Sequence, residues 1–334
     1  MSGTVFELRK QARKFAVSDN PRAWRELFGT LGLYFPAYLI AITQYQTWWL
    51  FLPAMAVAIV MTMRVYMIQH DCIHRSFFKM RSKNDIVGKL LSPIAMTPYE
   101  ATRYSHNMHH AHVSDLDRRD TFEIYVMTLK EWEQAGFWKR LAYRIYRSPF
   151  TLIFTGPFIV YLILRRFPLT ALKTGLGDQI VHNLMILGQL GLTYLIAGVP
   201  GLWVWLAIIY LTSTLGVLIP YIVHNFEDIH WGTRPDMDFA TGALEGSSVL
   251  DWGWLFHKAV MNIGYHDLHH LNAKIPGYKL KEAHEFLEAQ GLLKSEKIGF
   301  LEGLACLRWK LYDEDGGKMV PFPRRSAATV VPAE

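Results

Sequence analysis

Two long stretches without a charged side chain constrain this sequence more than any other feature. From Leu27 to Met63 there are 37 consecutive residues free of Asp, Glu, Lys and Arg, and from Ile180 to Val223 another 44. One bilayer-spanning helix takes about 20 apolar residues, so each stretch is close to two spans. The first is interrupted by Thr43-Gln44-Tyr45-Gln46-Thr47 and the second by Gly198-Val199-Pro200-Gly201, placed where tight turns would fall. The second span can run past Arg64 if that side chain snorkels toward water. The expected fold is an all-α integral membrane protein with four transmembrane helices in two hairpins.

Composition points the same way. Apolar residues make up 51% of the chain and charged residues 19%, against about 25% charged in a typical soluble domain. An aromatic content of 14% excludes a disordered, collagen-like or coiled-coil chain. Cys72 and Cys306 alone cannot form a disulfide framework or a four-cysteine zinc site, which places the polar part in a reducing compartment.

Cationic residues mark the cytoplasmic ends of spans. Arg9, Lys10, Arg13, Lys14, Arg22 and Arg25 precede the first hairpin, Arg75, Lys79, Arg81 and Lys83 follow it, and neither hairpin tip is charged. Both termini are therefore expected in the cytoplasm. A third apolar stretch, 148–166, contains Gly156-Pro157, follows Lys139, Arg140, Arg144 and Arg147, and ends on Arg165 and Arg166. Cations at both ends make it re-entrant or interfacial. The layout is then a cytoplasmic segment 1–26, a hairpin 27–68, a cytoplasmic cap 69–179, a hairpin 180–223, a second cap region 224–320 and a loose tail 321–334, all one functional domain. The basic start leads into a full-length span, so no secretory signal is read. The net charge of +6 suits a surface facing anionic headgroups, and no nucleic-acid motif occurs.

Fourteen histidines are the anomaly. Eight fall in three clusters: His70-Asp71-Cys72-Ile73-His74, His106-Asn107-Met108-His109-His110 and His266-Asp267-Leu268-His269-His270. Residues three or four apart share a helix face, so each cluster aims its imidazoles one way. The first continues from the second span. The second follows Thr97-Pro98-Tyr99-Glu100, a capping box with proline at the first helical position, which predicts a helix from Pro98 to about His112. The third is expected on a helix over Asn262 to Leu271, before Pro276. Four spans with cytoplasmic termini put all three on one side of the bilayer, together with His224 at the end of the fourth span.

A single histidine at a membrane interface is ordinarily an amphipathic anchor. Three clustered groups are different, because imidazoles packed together without a cation are costly to desolvate and resist protonation. Imidazole suits zinc, copper, iron and nickel. A structural zinc takes four ligands and a catalytic zinc three, so nine candidates match two metals, and two irons would serve redox chemistry with dioxygen.

On these residues the chain resembles the membrane fatty-acid desaturases, with their HxxxH, HxxHH and HxxHH boxes. The likeness extends through HDCIHRSFFK, NDIVGKLLSPIAMTPY, SDLDRRDT, VHNFEDIHW and NIGYHDLHHLNAKIPGYKL, over about residues 30 to 290, and is to bacterial acyl-lipid desaturases related to the Δ12 (omega-6) enzymes. The resemblance implies a non-haem diiron enzyme of a bacterial inner membrane that removes two vicinal hydrogens from a lipid acyl chain, using dioxygen and two electrons. It implies iron ligation by His70, His74, His106, His109, His110, His266, His269 and His270, with His224 as a ninth ligand. No fused haem-binding signature or dinucleotide fingerprint occurs, so the resemblance also implies an external donor, ferredoxin.

Around the ligands, the acids nearest in sequence are Asp71, Asp267, Glu227 and Asp228, which would fix histidine tautomers, while Asn107 and Asn225 would orient ligands or water. Each could equally be a solvated helix-face residue. His112, His230 and His257 depart from the family pattern and read as solvent-facing or helix-packing, or alternatively as donors to the ligands. His182 reads as satisfied by a neighbouring helix, His284 as a surface residue. Trp48, Trp49, Trp203 and Trp205 read as interfacial belt anchors. Arg118, Arg119 and the patch Arg140 to Arg147 read as a docking surface for an acidic carrier or as ordinary positive-inside bias. An acyl chain would enter an apolar tunnel beneath the metals, lined by the spans and by Ile86 to Met96. Two rivals remain open at this level: a hydroxylase, ketolase or acetylenase on the same scaffold, and a membrane metal carrier without redox chemistry, which would place polar ligands at mid-bilayer.

Overall fold

The structure, a computed structural model, describes residues 3–121, 124–233 and 238–323. Most of the tail expected to be loose lies outside those residues. A short helix α1 (Gly3–Ala12) leads to α2 (Asn20–Thr43), whose first backbone donors are capped by the Asp19 carboxylate accepting from Arg22 N–H at 3.1 Å. After a turn at Gln44–Thr47 the chain returns as α3 (Trp48–Ile73). Small residues Ala37, Ala41, Ala54 and Ala58 are buried along the seam of this hairpin, which lets the two backbones approach closely. Arg64, expected to snorkel toward water, is partly exposed with its head anchored. It pairs with Glu26, donates to Thr30 Oγ1 at 3.0 Å and reaches the Lys258 carbonyl. A cation at that depth is stabilised by a partner more than by reaching for solvent.

The second uncharged stretch forms a helix assignment over Leu176–Val223 that breaks at Gly198, where φ 61 and ψ −157 are open to glycine but not to side chains with a Cβ. The break reverses the chain, as its two ends demonstrate. Near one end the Glu100 N–H donates to Asp178 at 2.9 Å, and at the other the His109 and His224 rings lie 4.9 Å apart. Glu100 and His109 share a helix and stand only about 14 Å apart along it, whereas an unbroken helix would separate Asp178 from His224 by about 69 Å. The stretch therefore folds as a hairpin, with a first leg over 176–197 and a second leg over 199–223.

The stretch 148–166 is helical with two π-turns, and Thr151–Thr174 is long and apolar enough to cross a membrane by length and composition. Both of its ends are nevertheless tied to the histidine-bearing side. Arg147 donates to Asn225 at 2.5 Å, Arg165 to Thr102 at 2.9 Å and Arg166 to the Met96 carbonyl at 2.6 Å. Between them Phe154 accepts from Tyr210 at 3.2 Å, which lies about 21 Å below His224 along the second leg.

Outward-facing Phe28, Leu33, Phe35, Leu184, Leu187 and Leu195 leave an apolar surface on the long helices suited to lipid. The remaining residues form a helical cap with two small sheets that the sequence reading did not anticipate. Val249–Asp251 pairs in parallel with Lys297–Gly299, and Leu311–Asp313 lies between Met127–Thr128 and Lys318–Val320. Strands of two or three residues carry too little alternation to be read from sequence.

Candidate metal centre

Four elements bring the histidines together. α3 ends at the first cluster, with His70 in its last turn and His74 as its C-cap residue. A helix α4 (Arg81–Ala95) then crosses to α5 (Tyr99–Ala111), which carries His106, His109 and His110. The anticipated capping box does not form. Pro98 is the N-cap residue, Thr97 Oγ1 is taken by Gln69 of α3, and the carboxylate that accepts Glu100 N–H comes from Asp178 on the second hairpin. A tertiary partner has displaced the local cap. His224 caps the second leg, and the third cluster occupies a short helix over His266–Leu271. That helix starts later than expected because Met261 and Asn262 are held at φ 49 and 62, outside helical geometry.

The nine candidate histidines fall into two groups. His70, His74, His106, His110 and His269 form one; His109, His224, His266 and His270 form the other. Within each, one nitrogen per ring lies within 4.8 Å of all the others. Eight of the nine are buried and His106 is partly so. Burial, reinforced by the neighbouring imidazoles, pushes His74, His106, His109, His110, His266, His269 and His270 well below the usual histidine range, and burial lowers His224 to about 4. Neutral imidazoles are the form that binds metal.

The spacing of the nitrogens tests whether an ion fits. His224, His266 and His270 place their Nε2 atoms in a triangle with all three edges 3.1 Å. A neutral imidazole nitrogen offers either one hydrogen or one lone pair, so three cannot hydrogen-bond one another around a triangle. Nitrogens about 2.1 Å from a shared ion and at right angles stand about 3.0 Å apart, which is this arrangement. In the other group His106 Nε2 lies 2.8 Å from His70 and 3.1 Å from His110, whose Nε2 is 3.1 Å from His269. The donor set and its spacing fit metal binding.

The six polar residues proposed around the ligands behave differently from one another. Asp71 is buried with Oδ1 3.9 Å from His70 Nδ1, and its Oδ2 accepts from Gly277 N–H at 2.7 Å. Asp267 accepts from Ser295, which is 2.9 Å from His284 Nε2, and its Oδ1 lies 3.8 Å from the same nitrogen. Asn225 accepts from Arg147 and donates to the Cys306 carbonyl at 2.9 Å, tying cap segments together. Glu227 is 4.0 Å from Arg308, and Asp228 and Asn107 are exposed. A contact the sequence could not show is the Gly246 carbonyl, which accepts from His224 Nδ1 at 2.8 Å and leaves Nε2 facing the group. A Cβ at Gly246 would collide with Ser114 Oγ, so the close approach requires glycine.

Of the remaining readings, those of His284 and Trp205 need correction. His284, read as a surface residue, is fully buried in the Ser295 and Asp267 network. His257 is buried with its ring stacked on Tyr265 at 4.5 Å, and His112 and His230 are partly exposed, His112 lying 3.5 Å from Asp115. His182 is held by Ser92 of α4 at 2.9 Å and by Arg166 at 2.8 Å. Trp48, Trp49 and Trp203 are exposed, whereas Trp205 packs inside with Tyr161 and Ile209. Of the cations read either as a docking surface or as positive-inside bias, Arg119 pairs with Glu131 at 2.7 Å, Arg144 is exposed with its guanidinium 4.4 Å from the Phe322 ring centre, and Arg147 is buried.

Beneath the histidines is a narrow cavity walled by Met63, Tyr66, Met67, Ile219 and Ile263 and roofed by His70, His106, His109, His224 and His266. A wider lateral cleft adjoins it between the start of α5 and the segment 151–170. On the outer side a polar cleft is formed by Arg9, Arg13, Asn272 and Lys274, and Lys274 donates to the His74 carbonyl at 2.5 Å.

Comparison with known proteins adds an independent line. A family model described as fatty acid desaturase matches residues 46–296. A protein of Bacillus subtilis (strain 168) named fatty acid desaturase is 35% identical over 322 residues, 95% of this chain and 90% of the relative. An sn-1 acyl-lipid omega-3 desaturase (ferredoxin) of Nostoc sp. (strain 36) is 27% identical over 75% of this chain and 71% of its own. An sn-1 oleoyl-lipid 12-desaturase of Synechocystis is 25% identical over 89% of this chain and 82% of its own.

Proposed function

Because this chain belongs to the fatty acid desaturase family and is a fatty-acyl desaturase of a membrane, we propose that its two histidine groups hold two iron ions and that lipid acyl chains react in the cavity directly below. The carrying observation is the pair of buried histidine groups roofing an apolar space. An acyl methylene has no acidic or basic handle, so no side chain in the cavity could act on it unaided. Two irons, when bound, supply oxidation by dioxygen with two electrons from outside. The chain's own contribution is positional. His70, His74, His106, His110 and His269 hold one ion and His109, His224, His266 and His270 the other, while the Gly246 carbonyl fixes the His224 ring and the Asp71 carboxylate places a charge 3.9 Å from His70 Nδ1. Met63, Met67, Ile219 and Ile263 exclude water and keep the acyl chain against the roof.

The cyanobacterial relatives are named for lipid-linked acyl chains, and the Nostoc protein also for ferredoxin. We extend both to this chain. The polar cleft of Arg9, Arg13 and Lys274, one hydrogen bond from the His74 backbone, suits an acidic electron carrier. The cations flanking the hairpins support a cytoplasmic face for the termini and the metal centre, in a bacterial inner membrane.

The test is expression in a host lacking polyunsaturated lipids, with fatty-acid profiling and metal analysis of wild type and His109→Ala. New double bonds and two irons per chain in the wild type, both lost or diminished in the variant, are expected. Acyl products heavier by one oxygen, or a single zinc with no oxygen consumption, would overturn the reading.

A further inference from the structure

Gly216, on the second leg, stands where three cavities meet. It lines the space beneath the histidines, the lateral cleft, and a narrow inner pocket bounded by Thr62, Met96, Ile209, Thr212 and Ser213. Among the described residues no other lines all three. Glycine is a poor residue for a helix interior, so its place here calls for a packing reason. Tyr161 provides one. A Cβ at Gly216 would stand 2.5 Å from Tyr161 Oη and 3.1 Å from Cζ, and the phenol donates to the Gly216 carbonyl at 3.5 Å. The ring that walls both the lateral cleft and the inner pocket is thus pressed onto bare backbone.

The geometry points to Gly216 and Tyr161 as the gate that sets which acyl chains reach the metal centre and how far they pass it; this rests on the desaturase reading above. The lateral cleft carries exposed Leu164, Phe167 and Leu169 on its lipid side and Thr102, Ser105 and Arg165 among its polar lining, which suits the headgroup end of a lipid. The methylenes to be oxidised lie below the histidines, and the methyl end points toward the inner pocket. The chain turns between these spaces at Gly216. Any side chain there displaces the Tyr161 hydroxyl into the passage.

The test compares full-length wild type, Gly216→Ala, Tyr161→Phe and the double variant on myristoyl, palmitoyl and stearoyl lipids. Gly216→Ala should lower stearoyl relative to myristoyl desaturation about tenfold, the scale on which pockets discriminate small differences in apolar bulk. Tyr161→Phe removes the atom that collides, so the double variant should recover to within about twofold of wild type. Native mass spectrometry of the same proteins with dimyristoyl and distearoyl phosphatidylglycerol gives a readout independent of turnover: Gly216→Ala should retain less distearoyl lipid at unchanged iron content. An unchanged chain-length preference, a double variant no better than Gly216→Ala, or equal loss of both lipids overturns the gate. A wild type that sorts lipids by length but forms no double bond sinks the desaturase reading and leaves the gate standing.

Discussion

His110 and His270 stack face to face across the seam between the two histidine groups, with ring centroids 4.2 Å apart and planes 24° from parallel. Yet their Nε2 atoms serve different groups, His110 beside His106 and His269, His270 beside His224 and His266. Each ring therefore positions its neighbour as well as standing in a group proposed to hold a metal. His110→Ala and His270→Ala should each lower the content of both irons, measured by elemental analysis, and reduce desaturation by at least the 10–100-fold typical of a lost ligand-orienting partner. Loss of one iron with full retention of the other would show the groups to be independent.

The Asp71 carboxylate lies 3.9 Å from His70 Nδ1, beyond hydrogen-bond reach, and receives the Gly277 N–H. Asp71→Asn keeps an oxygen for Gly277 but loses the negative charge beside the imidazole. Iron should be stripped by a chelator at an affinity weaker by about 10-fold or more, with thermal unfolding of the metal-free protein little changed. Equal chelator resistance in wild type and variant would remove Asp71 from the site.

Gly246→Ala drives a methyl into Ser114 and moves the carbonyl that holds His224. The second histidine group should lose metal preferentially, leaving iron content near one per chain. Content near two, with normal activity, would mean that the Gly246 carbonyl does not matter to His224.

Acid should unfold the metal-free protein. The buried imidazoles titrate in the folded state well below their usual value, His224 at about 4, while in the unfolded chain they take up protons near 6.5. The same depression holds for His106 and His270, where burial and neighbouring imidazoles are the cause. The unfolded state thus binds more protons below about pH 6.5. The stability these groups contribute is present above that pH and is lost as pH falls through the window toward the folded values. Unfolding temperature of the metal-free protein should drop steeply below about pH 6.5, and bound iron should shift that drop to lower pH by occupying the nitrogens. A flat profile across about pH 7 to 5, the range of histidine titration, would contradict it.

Arg13 is exposed in the polar cleft beside Lys274. Arg13→Glu should raise the KM for an acidic electron donor several-fold, leave iron content unchanged, and weaken the salt dependence of turnover. An unchanged donor KM would move the docking surface elsewhere.

The sequence by itself determined the long apolar helices, the reversal at Gly198 and the histidines that converge, because each is written in local chemistry: uncharged length, a glycine free to adopt positive φ, and imidazoles at helical spacing. Only the tertiary structure decided which polar residues serve those histidines. Asp267 and Asp71 occupy equivalent places beside a box histidine in sequence, yet one accepts from Ser295 and the other from the Gly277 N–H. Asp178 displaced the local cap of α5, and a backbone carbonyl at Gly246 took the role expected of a carboxylate. Side-chain direction and long-range partners depend on how helices pack, and the order of residues along the chain does not encode that packing in any short window.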